Sequence, residues 1–505
     1  MGFNSFRFIL LFLPILLAGW HMLNRIHKYT VADGFLTLMS LYFYYTFGAS
    51  FLVVLLISIC VNYLLSFIIT KAKDKTIKVL KVIGVLFNLG LLFYFKYLGF
   101  FVENINSVTG ANLSVKEILM PIGISFFTFG QISFIVDRAN GEAEHYPFLQ
   151  YAMYTVYFPK LIQGPIAFHK EMIDQFRDTK LRSFDPDNFA KGLKSFIIGL
   201  SKKVILADTL ARVANYGFEQ TFYLDTLTVI VVMLAYTFQI YLDFSGYCDM
   251  ANGVSLLLGI KLPVNFNSPY KASSAKELWQ RWHMTLSRFF IKYVYIPLGG
   301  SRKGKRRTVI NVLIVFVLSG LWHGAGWTYI CWGLMQGLLV VWDDLGIVGV
   351  RDDNPDKKKK YLLREKPFIT VPGAVGNAAT FFMFVVSLVF FRSKNLGYAL
   401  GMFKRAFFWT YPGFLTRCAG QLEMAENYVL RQIVTRLGIG SAGMVLMITM
   451  IVYIAISAFV MTRKNTQEII AENRYDLKSV ICYTILAILS LISLSNVSTF
   501  IYFKF

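Results

Sequence analysis

The chain has 505 residues, 56% of them hydrophobic and 16% charged, with a mean hydropathy of +0.53. Soluble proteins average about 45–50% apolar and about 25% charged residues, so this composition excludes a disordered chain and argues against soluble domains strung on linkers. Lys and Arg outnumber Asp and Glu by 51 to 29, but the cations sit in short loops between apolar runs, without an RNP, zinc-finger or basic-helix pattern, and so read as membrane-topology signals instead of a nucleic-acid surface.

In chain order, residues 8–23, 49–70, 79–102, 193–210, 227–246, 368–391, 442–461 and 479–501 are apolar enough to span a bilayer, which takes about 20 residues. The first run is about as long as a signal peptide. It is followed by His21-Met22-Leu23-Asn24-Arg25 without a small-x-small cleavage site, so it is expected to stay as a membrane helix. Residues 35–48 form a shorter apolar stretch ending at Gly48. Residues 118–136 and 148–166 are apolar but broken by Pro121, Pro159 and Pro165. Interrupted segments lie in a membrane only when buried in protein or lining a cavity, so these two point to a site inside the bundle. Residues 308–342 would make a helix of roughly 52 Å, too long for one crossing of about 30 Å. Gly324-Ala325-Gly326 is the expected break, with His323 beside it.

Basic loops at 71–81, 169–191, 302–307 and 351–366 are expected in the cytoplasm, and the Lys/Arg-poor loops 103–117 and 216–225 outside. Starting from the basic 463–478 loop, the last helix would then deliver Phe505 to the outer face. The five cysteines are scattered without a CxxC pair, so neither a zinc site nor a disulfide framework is expected.

Two of the six histidines stand out by context: His283 within Trp279-Gln280-Arg281-Trp282-His283, and His323 within Gly320-Leu321-Trp322-His323-Gly324-Ala325-Gly326-Trp327. Ionisable groups at membrane depth are costly and are functional candidates by default. An imidazole in apolar surroundings stays neutral and available as a base. The competing reading is a histidine satisfied by a backbone carbonyl or held in an interfacial aromatic belt. Asp243 and Asp249, near the end of an apolar run, could orient a histidine, pair with a cation or mark the membrane boundary. Ser245-Gly246 is not a GxSxG elbow, which argues against a Ser-His-Asp hydrolase. Gly299, Gly304 and Lys305 begin a P-loop pattern, but Arg306 stands where Ser or Thr is required and no strand precedes it. Arg302, Lys303 and Lys305 remain candidates for attracting a phosphorylated cofactor at the cytoplasmic face, with a plain topology signal as the equal alternative.

Together, these stretches resemble the membrane-bound O-acyltransferase family, in its bacterial alginate O-acetyltransferase type. The resemblance is carried by Tyr241-Leu242-Asp243-Phe244-Ser245-Gly246-Tyr247, Pro263-Val264-Asn265-Phe266-Asn267, Trp279-Gln280-Arg281-Trp282-His283, Tyr293-Val294-Tyr295-Ile296-Pro297-Leu298-Gly299-Gly300 and Gly320-Leu321-Trp322-His323-Gly324-Ala325. Upstream, Phe158-Pro159-Lys160-Leu161-Ile162-Gln163-Gly164-Pro165-Ile166 and Gly199-Leu200-Ser201-Lys202-Lys203 also fit, so the likeness covers about residues 75–400. It implies an all-α polytopic membrane protein: one integral domain, a ring of transmembrane helices with interrupted and re-entrant helices around a central funnel. It also implies that His323 is the principal catalytic residue, with His283 near the reaction centre.

The activity implied is transfer of an acetyl group from cytoplasmic acetyl-CoA across a bacterial inner membrane, for O-acetylation of an exported or cell-surface polysaccharide. An extracytoplasmic partner with its own serine nucleophile would complete the transfer, and no resident cofactor or metal is implied. Where the family usually has an Arg-Asp pair before the Tyr-x-Tyr-Ile-Pro block, this chain has Ile291-Lys292, exchanging an ion pair for a lone cation. The aromatic ending Phe500-Ile501-Tyr502-Phe503-Lys504-Phe505 resembles endings in this branch and implies a relay in which Tyr502 carries the acyl group. An interfacial aromatic anchor is the alternative. Within the enzyme class the runner-up is D-alanyl or other acyl transfer from a phosphopantetheine carrier protein. Outside it stands a polysaccharide or lipid transporter, against which the His323 block has no second copy.

Overall fold

The computed structural model describes the whole chain except residues 117, 352–360, 363, 411–412, 439, 473–475, 495–499 and 501–505, with only the backbone described at 425–427 and 429–430. Among the described residues the architecture is helical. The exception is a parallel pair of three-residue strands, Val348–Val350 and Ile369–Val371, joined in register Val348 to Ile369.

Among the described residues six helices are long and apolar enough to cross a membrane: Arg7–Arg25, Ala49–Lys71, Asp74–Thr109, Thr226–Leu257, Gly373–Arg392 and Ala442–Thr462. Five of them are 22–44% buried over their apolar windows, as expected for helices facing lipid, whereas Thr226–Leu257 is 72% buried. A helix apolar all round belongs in an interior. Thr226–Leu257 is therefore the interior helix of the bundle, and Gly373–Arg392 and Ala442–Thr462 pack directly against it.

Close approach to that central helix comes from glycines at a seven-residue spacing. A Cβ on Gly199 would meet the Gly246 carbonyl oxygen at 2.6 Å, and one on Gly192 would meet the Gly253 carbonyl oxygen at 2.8 Å. Pro186–Ser201 is thereby laid against the central helix with backbones nearly touching, the small-residue contact common between membrane helices.

Several boundaries differ from the sequence expectation. The expected span 193–210 is a helix, Pro186–Ser201, that passes through a π-helical turn, Lys202–Ala207, into Asp208–Glu219. The expected span 227–246 instead continues to Leu257, so Asp243 and Asp249 lie within the helix and not at its end. The reason is pairing: Asp243 meets Lys203 at 2.5 Å and Asp249 meets Lys202 at 2.7 Å, so the carboxylates need no water. The expected span 368–391 begins five residues later, where Pro372 caps Gly373–Arg392. The last helix is described over Leu477–Ser493, the remainder of the expected span falling largely outside the described residues, and it docks through Ser490, whose Oγ lies 2.9 Å from that of Ser201.

The break at Gly324-Ala325-Gly326 is as expected. Lys305–His323 and Trp327–Leu345 are separate helices, packed at Gly320 and Gly333, where added Cβ atoms would meet the Tyr329 and Phe316 carbonyl oxygens at 2.2 and 2.3 Å.

Candidate active site

His323 is the last residue of its helix, followed by extended Gly324 (φ −163°). A side chain at 324 would strike the Tyr329 ring at 2.1 Å, so glycine lets the chain leave the helix within one residue. The last carbonyls of a helix have no intrahelical donors. Here they are met from outside: Lys96 Nζ donates to the carbonyls of Trp322 at 2.6 Å and His323 at 3.2 Å, and the Tyr97 hydroxyl donates to that of Leu321 at 2.9 Å. Lys96 and Tyr97 belong to a π-helical turn, Phe93–Tyr97, within Asp74–Thr109.

His283 caps the short helix Met284–Phe290 and adopts a left-handed backbone conformation, φ 44° and ψ 49°. For a residue with a Cβ this costs on the order of 1–2 kcal/mol and is held only by its surroundings. Those surroundings are the 265–267 segment, where Met284 N–H donates to the Asn265 carbonyl at 3.0 Å and Asn267 N–H to that of Arg281 at 2.9 Å. The Asn265 side chain adds a third tie, its Oδ1 lying 3.1 Å from His283 Nδ1.

The two imidazoles lie 6.4 Å apart, centroid to centroid, and both are buried (0% and 2% exposed). Trp322 packs against both, 5.9 Å from His283 and 4.9 Å from His323. Phe244 of the central helix packs edge-on against His283 at 4.8 Å, while Trp332 and Phe391 each lie 5.2 Å from His323. Aromatic rings thus exclude lipid and hold both imidazoles in place. On the other side of His323 a narrow cavity of about 30 Å³, room for a water or two, is lined by Lys96, Pro121, Gly123, Ser125, Ile162 and Trp322. Gly123 (φ +78°) packs against the Leu161 and Ile162 backbone, so the two proline-broken segments meet each other and the histidine chamber, as their interruption led us to expect.

The other candidate residues fall elsewhere. Asp243 orients no histidine but joins Asp208, at 2.8 Å, around the fully buried Lys203. Arg302, Lys303 and Lys305 are exposed at the opposite end of the His323 helix, roughly 27 Å along its axis at 1.5 Å per residue. Lys292 is not the lone cation expected from Ile291-Lys292, because two carboxylates from elsewhere in the chain converge on it: Asp137 at 2.9 Å and Glu142 at 2.7 Å. Tyr502 lies outside the described residues. Phe500, two residues earlier, is buried, with its ring 4.5 Å from Lys203 Nζ and 4.9 Å edge-to-face from Tyr247. Sequence reasoning missed Lys96, a cation in the middle of an apolar run and so legible by the rule applied to the histidines. It also assigned no role to Asn265, for which spacing alone carries no signal.

The sequence profile described as MBOAT, membrane-bound O-acyltransferase family, matches residues 116–386, which contain both histidines, Asn265 and the central helix. The chain belongs to the membrane-bound O-acyltransferase family. It is an O-acyltransferase and a multi-pass membrane protein.

Among relatives of this MBOAT chain, a peptidoglycan O-acetyltransferase of Helicobacter pylori is 37% identical over 429 residues, covering 80% of this chain and 79% of that protein. A probable alginate O-acetylase of Pseudomonas putida is 36% identical over 416 residues, 81% of this chain and 80% of that protein. A teichoic acid D-alanyltransferase of Streptococcus thermophilus is 30% identical, but over 49% of this chain and 62% of that protein.

Proposed function

We propose that this protein transfers acetyl groups from cytoplasmic acetyl-CoA across a bacterial inner membrane, so that an exported or cell-surface polysaccharide becomes O-acetylated. The observation that carries the chemistry is the pair of buried imidazoles 6.4 Å apart in an aromatic chamber with a polar cavity beside it. The acetyl assignment is supported by the two O-acetylating relatives, which match about four-fifths of the chain, against about half for the D-alanyltransferase.

His323 acts as general base. An acceptor hydroxyl oxygen attacks the thioester carbonyl carbon while His323 takes its proton. The carbonyl electron pair moves to oxygen, then re-forms C=O as the C–S bond breaks, and the departing thiolate takes the proton back. Orientation is supported by the basic loop at the start of the histidine helix. With that loop in the cytoplasm, a helix length of about 27 Å, against about 30 Å of hydrocarbon, supports a position for His323 toward the outer half.

The first acceptor in this reading is the hydroxyl of Tyr502, from which a serine of an extracytoplasmic partner takes the acetyl group and returns a proton to the tyrosine. Phe500 supports it, because this residue, two before Tyr502, is buried against Tyr247 of the central helix, one turn from the Phe244 that touches His283.

The deciding experiment is the O-acetyl content of surface polysaccharide in cells expressing wild type or His323→Ala at matched membrane levels. Loss of acetylation is expected, and retention removes His323 as the base and revives the transporter reading. Radiolabel supplied as acetyl-CoA or as a charged carrier protein separates acetyl from D-alanyl transfer.

A further inference from the structure

We propose that Lys96 is a positioning residue of the reaction centre. Its ammonium fixes the end of the helix that carries His323, and it sets positive charge beside the carbonyl oxygen that becomes negative during acyl transfer. This rests on the reading of His323 as the base.

Lys96 lies within the apolar helix Asp74–Thr109, where a cation is expensive and demands a reason. Among the described residues no carboxylate pairs with it. Its three N–H groups meet three neutral acceptors instead: the carbonyls of Trp322 and His323, and the Ser125 Oγ at 3.3 Å. These carbonyls are the negative end of the helix dipole, and a cation is favoured there.

Capping alone does not call for a charge, because the neighbouring Tyr97 satisfies Leu321 with a neutral hydroxyl. What sets Lys96 apart is that it lines the same cavity as His323. With all three N–H groups held by these acceptors, Lys96 acts on the reacting carbonyl oxygen through its charge, and in such a partly enclosed site a fixed, preorganised charge is screened far less than in water. In the attack step the negative charge forms on the carbonyl oxygen and disappears when the C–S bond breaks. Lys96 keeps all its protons throughout. The π-helical turn at Phe93–Tyr97 aims two consecutive side chains, Lys96 and Tyr97, at the same helix end.

The test uses the full-length protein in membranes, with radiolabelled acetyl-CoA as donor and kcat and KM read separately for wild type, Lys96→Met, Lys96→Arg, Tyr97→Phe and His323→Ala. We expect kcat to fall at least a hundredfold in Lys96→Met with KM for the donor within threefold, at least tenfold recovery in Lys96→Arg, and Tyr97→Phe within threefold of wild type. If Lys96→Met does not accumulate, Lys96→Gln, one atom shorter but with a donor and no charge, gives the same reading. Overturning results are a Lys96→Met kcat within threefold of wild type, equal loss in Lys96→Met and Lys96→Arg, or equal loss in Tyr97→Phe, which would reduce the role to capping. A fully active His323→Ala overturns the underlying reading itself, so the two failures are distinguishable.

Discussion

Asn265 determines which nitrogen of His283 carries the proton. Its Oδ1 accepts from the Thr285 backbone N–H at 3.3 Å and from the Thr285 hydroxyl at 2.8 Å. A backbone N–H can only donate, so this atom is the amide oxygen. It follows that His283 donates from Nδ1 and presents its lone pair at Nε2, which has no hydrogen-bond partner among the described residues.

Asn265→Leu keeps the size of the side chain but frees the ring to rotate and exchange tautomers. Transfer should fall roughly a hundredfold, the usual scale for a misplaced catalytic group, while the protein still accumulates in membranes. Asn265→Asp retains an acceptor and should keep more activity than Asn265→Leu. The reverse order in an acetyl-transfer assay would show that this hydrogen bond does not orient the ring.

Lys203 joins Asp208 and Asp243 in the interior, and Phe500 packs over the ammonium. Lys203→Met removes the cation that the two buried carboxylates share. Losing one partner of a buried ion pair costs about 3–5 kcal/mol, so detergent-solubilised protein should unfold at a clearly lower temperature or fail to accumulate. Removing the charges together, in Lys203→Met/Asp208→Asn/Asp243→Asn, should recover part of the loss. An unchanged melting temperature in the single variant contradicts this account.

The glycine contacts between Pro186–Ser201 and the central helix leave no room for a side chain. Gly199→Val must push the two helices apart, because its Cβ would lie 2.6 Å from a backbone oxygen. Overpacking of this kind costs about 1–3 kcal/mol or more, and here it would also separate Lys202 and Lys203 from their carboxylates. Gly413→Val, at a glycine whose Cβ position meets nothing among the described residues, serves as the control and should be neutral in thermal stability.

Removal of residues 500–505 should abolish acetyl transfer to the polysaccharide while the truncated protein still accumulates, since the Ser201–Ser490 contact holds the last helix independently of the tail. Phe500→Ala should lower transfer by about tenfold through loss of the buried ring, without removing Tyr502. A truncated chain that acetylates normally ends the relay reading.

The sequence by itself determined the solvent, the helical class and the two histidines worth pursuing. These follow from local quantities: run length against bilayer thickness, proline and glycine at the breaks, and ionisable residues within apolar context. It also marked Gly324-Ala325-Gly326 as the point where one long apolar stretch becomes two helices, because that boundary is set by backbone chemistry at the spot itself.

Only the tertiary structure decided what the charges do. Asp243 read equally well as a partner of histidine, a partner of a cation or a boundary marker, until packing at paired glycines brought Lys203 within 2.5 Å of it. Lys292 read as lone until Asp137 and Glu142, about 150 residues earlier, arrived beside it. Lys96 lies more than 200 residues before the carbonyls it caps. A hydrogen bond acts over about 3 Å of space and carries no imprint on residues so far away along the chain, so partners of this kind appear only once the helices are packed.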